Sequence, residues 1–198
     1  MLNTSSLAAL KQGQSIPFTH GLSIRLNRSA DLPFIIEMLN DSRVNQYLFF
    51  APAADALYQG FFNPIIENTA NAIKAEQWPE SPTFVIHDDQ GRYMGMTAIT
   101  SVMFLTGNYE VGYQLPFHAW GQGIATRACQ LMLEIGFSQL GAHKISADCY
   151  AGNIGSYTVM EKCGMSLEGR QRAYYKMDKG FDDKVYYGIT KEEFERIN

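Results

Sequence analysis

Apolar and polar positions alternate along the chain with two periods, and the switches between them mark out its elements. Leu22-Ser23-Ile24-Arg25-Leu26 alternates in the way of a half-buried strand. Behind Ser29 and Asp31, residues Leu32, Ile35, Ile36 and Leu39 follow the i, i+3, i+4, i+7 spacing of a helix face that ends near Asn40-Asp41. Pro33 is compatible with that helix only because it lies in the first turn. Residues 47–78 are rich in aromatics and broken by Pro52 and Pro64, which predicts a helical pair over a sheet, the second member running from Ile65 to Gln77. Thr83–Ile86 and Tyr93–Ile99 flank the turn Asp88-Asp89-Gln90-Gly91 as a hairpin. Tyr109, Val111, Tyr113 and Leu115 then alternate with Glu110, Gly112 and Gln114, giving one aromatic face and one polar face.

The helix from about Ile124 to Leu140 is apolar nearly all round, with only Arg127, Gln130 and Glu134 in a polar line. Such a helix is mostly buried and shows a narrow strip to water. Lys144–Tyr150 is a further strand, and Asn153–Lys162 a short helix stopped by Gly164. Two strands around Lys179-Gly180 and a last helix from Thr190 complete the chain. The order predicts an α/β protein with a mixed sheet covered by helices. Residues 1–20 read as a loosely attached extension and 21–198 as one domain.

Bulk properties narrow the classes. The 198 residues suit one domain, and 46% hydrophobic with 18% charged residues is an ordinary globular balance. A net charge of −4 argues against a nucleic-acid binder. No stretch is long and apolar enough to span a membrane, and no leader pattern is present. Cys129, Cys149 and Cys163 are scattered and odd in number, and neither they nor the four histidines have metal-ligand spacing. A reduced, cytoplasmic protein without a metal is expected.

The chemistry-bearing stretch is His118-Ala119-Trp120-Gly121-Gln122-Gly123-Ile124-Ala125-Thr126. Glycines at 121 and 123 let the backbone approach a ligand, and the next helix presents unpartnered N–H groups at the positive end of its dipole. Together they form an anion site suited to a diphosphate. Spacing alone leaves a plain strand-to-helix turn open.

Trp-Gly-Gln-Gly-Ile-Ala-Thr, preceded by Glu110-Val111-Gly112-Tyr113-Gln114-Leu115, resembles the acetyl-CoA loop of the GNAT N-acetyltransferases, in particular the RimJ/RimL-like branch. Gly123 and Ala125 fit the family's loop pattern, whereas Trp120 stands where Gln or Arg is usual. The resemblance implies a seven-stranded, mostly antiparallel sheet splayed between its fourth and fifth strands, with helices on both faces and coenzyme A in the gap. It places the diphosphate on main-chain amides from Trp120 through Gly121, Gln122, Gly123, Ile124 and Ala125 to Thr126, with Gln114, Leu115, Asn153 and Ser156 along the rest of the cofactor. It also implies that the aromatic region 47–78 forms one wall of the acceptor cleft.

For catalysis, Glu110 is the candidate base; a solvated strand carboxylate is the alternative. Asn153, Ser156 and Met160 share a helix face, and Asn153 is also a natural cap. Met160 stands where many relatives carry a proton-donating tyrosine, and methionine cannot donate a proton. Ser156 is the hydroxyl left on that face and resembles the serine given this role in the RimL-like branch. Arg170 and Arg172 suit either an adenosine phosphate or a solvated strand face. The expected activity is direct acetyl transfer from acetyl-CoA to a primary amine, foremost a protein N-terminal α-amine such as that of a ribosomal protein. Acetylation of a small amine (a polyamine, amino acid or antibiotic) and a non-catalytic coenzyme A-binding module remain alternatives, as do monomer and homodimer.

Overall fold

The computed structural model describes residues 3–19 and 21–197. Its elements run α1 (Thr4–Lys11), β1 (Ile16–Pro17), β2 (Ser23–Leu26), α2 (Leu32–Asn40), α3 (Ser42–Asn45), α4 (Asp55–Lys74), β3 (Thr83–His87), β4 (Tyr93–Ser101), β5 (Asn108–Gln114), α5 (Ile124–Gln139), β6 (Lys144–Tyr150), α6 (Ile154–Lys162), β7 (Ser166–Lys176), β8 (Phe181–Thr190) and α7 (Lys191–Ile197). The strands form one sheet in the order β1-β2-β3-β4-β5-β6-β8-β7. Every neighbouring pair is antiparallel except β5 and β6.

Helices cover both faces because each face is apolar. On one, α5 and α6 pack with Ile99, Val111, Ile145 and Ala147. On the other, α2 and α4 pack with Val85, Tyr93 and Met96. The all-round apolarity of α5 is explained by burial of ten of its residues. Glu134 is buried with them, so the strip to water is narrower than the sequence pattern suggests. α7 lies over that end, with Phe194 against Phe137 at 5.0 Å between ring centroids.

The sheet has eight strands rather than seven, because Ile16–Pro17 pairs with Ser23–Ile24. Nor are the described residues before it, from Asn3 on, loosely attached. α1 is capped by Asn3, whose side chain accepts from the Ser6 amide, and its Leu10 is fully buried in the core. Of the expected extension, residues 1, 2 and 20 lie outside the described residues. Leu10→Ala is expected to cost roughly 2–3 kcal/mol, the lower part of the range for deleting a buried leucine side chain. Chemical denaturation would register it as a lower midpoint with an unchanged slope.

α4 also departs from expectation. It begins at Asp55 and runs through Pro64, ten residues earlier than the helix expected from Ile65. Proline removes one backbone bond and crowds the carbonyl four residues back. Here that residue is Gly60, where a Cβ would meet nothing within 4 Å. The buried Tyr58, Phe62, Ile66 and Thr69 supply the packing that carries the helix across the break.

Candidate active site

The parallel pairing of β5 with β6 stops at Glu110–Ser146. Beyond that point β5 remains paired only to β4, as far as Gln114, and β6 only to β8, as far as Tyr150. The two strands diverge and leave facing edges whose backbone groups do not pair across the sheet. This is the splay expected between the fourth and fifth strands, renumbered by the extra β1. Two cavities open from it.

The smaller, about 460 Å³, runs from the end of β5 along the glycine loop to α6. Gly121 and Gly123 have φ of 72° and 75°, the left-handed region that favours glycine. Gly123 is the N-cap of α5 and provides no side-chain cap, so the first amides of that helix are open to an external acceptor. Gln114, Leu115, Trp120, Gly121, Gly123, Ile124, Ala125, Thr126, Asn153 and Ser156 all line this cavity. Gln122 does not, since its side-chain amide turns back to donate to the His118 carbonyl at 2.8 Å. The Trp120 indole N–H donates to the Leu115 carbonyl at 2.8 Å, tying the loop to the end of β5. Lys162 is the one charged side chain on the wall among the described residues, and the sequence pattern did not single it out.

The larger cavity, about 820 Å³, lies between the splayed strands, α4 and the segment before it. It shares Tyr47, Leu48, Tyr113, Gln114, Asn153 and Ser156 with the first, so the two meet at the divergence. Glu110 lines it, and so does Asp148 from β6. The parallel register sets Glu110 opposite Ser146, and Asp148 lies two residues further along the same strand face. Asp148 acts on Glu110 from there, as a hydrogen-bonding partner of its protonated form and as a like charge. Asp148 also receives the Lys184 ammonium at 2.8 Å and the Tyr175 hydroxyl at 3.2 Å. Burial comes first, then the hydrogen bond and charge of Asp148, in raising the Glu110 pKa to about 7; Lys184 opposes them. Burial works against the Lys184 ammonium, but its bond to Asp148 outweighs this and holds its pKa above the ordinary lysine value. The result is a carboxyl poised near neutrality on the wall of the larger cavity, at the last paired position before β5 and β6 part.

Tyr175 reaches this cluster through a distortion of β7. The register slips between Gln171 and Tyr175, and Ala173 sits at φ 51°. The Asp183 carboxylate accepts from the Ala173 amide at 2.7 Å and from Arg170 at 2.6 Å. Arg170 is thus committed to Asp183.

On the other side of the divergence, Asn153 caps α6 by accepting from the Ser156 amide. The Tyr113 hydroxyl donates to the Ser156 carbonyl at 2.8 Å and lies 3.3 Å from its Oγ. Burial, with the neighbouring Cys129 thiol, pushes the Tyr113 phenol well above its usual pKa, so it stays protonated and clips α6 to β5. Met160 is buried against the larger cavity. Tyr157 stacks on Tyr187 at 6.3 Å, in keeping with a packing role.

The geometry agrees with what the chain is similar to. An acetyltransferase (GNAT) domain family matches residues 22–166. The chain belongs to the GNAT acetyltransferase family. The uncharacterized N-acetyltransferase YnaD of Bacillus subtilis is 30% identical over 89% of this chain and 97% of its own length. Among solved structures, the spermidine N-acetyltransferase of Vibrio cholerae in complex with CoA and spermine superimposes with a TM-score of 0.75 at 20% identity, covering 88% of this chain and 98% of that one. RimL, the ribosomal L7/L12 α-N-protein acetyltransferase in complex with coenzyme A, does so with 0.74 at 15% identity, covering 89% and 98%. The fold of this acetyltransferase is therefore that of the GNAT enzymes. Among the described residues, no group of His, Cys, Asp and Glu could hold a metal ion, and no helix is long and apolar enough to cross a membrane. The three cysteines are buried and unbridged.

Besides Lys162, sequence pattern missed Asp148, Lys184 and Tyr175, and it read Tyr113 only as part of an aromatic strand face. Asp148 was open to detection: it alternates with Ile145, Ala147 and Cys149 and must face away from the core. What the sequence lacked was the register that brings it beside Glu110.

Proposed function

We propose that the enzyme moves the acetyl group of acetyl-CoA directly to a primary amine, foremost a protein N-terminal α-amine, at the junction of the two cavities. The observation that carries this reading is the Glu110 carboxyl, held near neutrality on the wall of the larger cavity, which joins the glycine-lipped one at Tyr113, Gln114 and Ser156. The coenzyme diphosphate sits on the amides between Trp120 and Thr126. Its arm follows the open edge of β5 past Gln114 towards Asn153. The amine enters from the larger cavity, its lone pair attacks the thioester carbonyl, and a C–N bond forms as Glu110 accepts a nitrogen proton. The C–S bond then breaks, and Ser156, steadied by Tyr113, hydrogen-bonds the departing sulfur, which takes up a proton through water.

A base of pKa near 7 matches an α-amine, which ordinarily titrates at about 7.7–8.0, better than a lysine-type amine at about 10.4. Neutralising the former near pH 7 costs about 1 kcal/mol and the latter more than about 4, at 1.36 kcal/mol per unit. The RimL likeness supports this reading. A small amine is the second reading, supported by the equally close spermidine-enzyme fold.

The test is release of free coenzyme A from acetyl-CoA with peptides bearing free N-termini and with polyamines. Turnover confined to polyamines would favour the second reading, and none with any amine would end both. Ser156→Ala is expected to lower kcat about 10-fold, the value of one hydrogen bond of about 1.4 kcal/mol, with the KM for acetyl-CoA within threefold. An unchanged kcat would remove Ser156 from the mechanism.

A further inference from the structure

The larger cavity lies in a wall of stacked rings. Tyr150 stacks on Tyr175 with centroids 3.6 Å apart, and Phe49 stacks on Tyr175 at 6.3 Å. Phe50 meets Phe49 edge-on at 5.3 Å. From α4, Phe61 faces the same space and is 63% exposed, while Phe49 is 75% exposed. Large apolar side chains left this open at the mouth of a concave site are unfavourable in water unless something covers them.

The charges are few. Among the described residues, Glu110, Asp148 and Lys184 are the charged side chains on this cavity's wall. Asp148 and Lys184 pair at 2.8 Å and cancel. That leaves one carboxyl, and the reacting amine itself engages it. A polyamine would bring further ammonium groups into an aromatic chamber that has no second free carboxylate for them. At this open mouth a distal ammonium keeps its water and gains only a weak, exposed cation–π contact, whereas covering a ring is favourable and stacking adds to it.

We infer that the acceptor is a primary amine carrying an aromatic or other bulky apolar group close to the nitrogen, which the exposed rings of Phe49 and Phe61 cover while Glu110 takes the amine. This rests on the transferase reading above and names its substrate class. Two sources share this chemistry: a free arylalkylamine, and a peptide whose first residue is aromatic.

The test compares kcat/KM for 2-phenylethylamine, a Phe-first peptide, a Ser-first peptide of otherwise identical sequence, butylamine and spermidine. At least one of the two aromatic acceptors should exceed both spermidine and its own non-aromatic counterpart about 30-fold, as expected for covering one ring. The ratio between the two aromatic acceptors identifies the source. The double substitution Phe49→Ala, Phe61→Ala removes exposed rings rather than core and should collapse that preference to within about threefold. Spermidine turned over as well as or better than both aromatic acceptors would overturn the inference and leave the transferase reading intact. No turnover of any amine would overturn the transferase reading. Calorimetry of 2-phenylethylamine and the Phe-first peptide with the coenzyme A-loaded protein would then decide this one: heat that the double variant loses supports it, and no heat sinks it.

Discussion

Glu110→Gln is expected to lower kcat at least about 100-fold while leaving the affinity for acetyl-CoA within twofold. The magnitude is that of a positioned general base, roughly 10²–10⁴. The amide keeps the shape of the carboxyl but cannot take a proton, and Glu110 does not line the smaller, glycine-lipped cavity. The pH dependence is the sharper readout. With the carboxyl raised to about 7, the wild-type rate should rise with pH through that value, because the protonated form is no base. The variant should lose this limb and keep only the rise set by the amine itself. A retained limb would assign it elsewhere.

The same group predicts a stability effect of opposite sign. In the unfolded chain a glutamate titrates near about 4.3. Between that value and 7 the folded state holds the extra proton, so stability falls as pH rises, and above 7 the ionised carboxylate is a standing cost of the fold. Glu110→Gln should therefore be more stable than the wild type at pH 8. Its advantage should shrink and vanish as the pH falls below the unfolded value. Thermal melts at pH 8 and pH 4 would show it, and equal differences at both would remove the carboxyl pair as the cause.

Gly123→Val is expected to weaken acetyl-CoA binding by about 30-fold or more, with kcat at saturating cofactor within threefold. Nothing lies within 4 Å of a Cβ built at this position, so no clash is involved. The cost is conformational: at φ 75° an L-residue loses roughly 1–2 kcal/mol, and a branched one more, with 1.4 kcal/mol a factor of ten. Gly121–Gly123 forms an exposed lip, which in the free variant can relax to an ordinary conformation and turn the amides aside. Binding must then reverse that relaxation. Asparagine enters the left-handed region more readily than other side chains, so Gly123→Asn should fall between glycine and valine. Equal affinities across the three, measured by calorimetry, would show that the anion sits elsewhere.

Where local pattern sets structure, the chain could be read directly. The alternation of β5, the apolar circumference of α5, the Asn153 cap and the glycine lip each depend on neighbours within a few residues. They placed the glycine lip at the start of α5 and put Glu110 on the polar face of its strand. Pattern failed where packing overrode a local signal. Pro64 reads as a break, but four buried side chains of α4 hold the helix through it. The first residues read as loose because their polar composition hides a single fully buried Leu10.

The sequence by itself determined most of the elements and, through the resemblance of residues 120–126, the fold family, since both are written in contiguous residues. Tertiary structure alone decided what surrounds that carboxyl. Strand register brings Asp148 from 38 residues away, a slipped β7 delivers Tyr175, and β8 supplies Lys184. Proton affinity and substrate fit depend on distance in space, and no spacing along the chain encodes that.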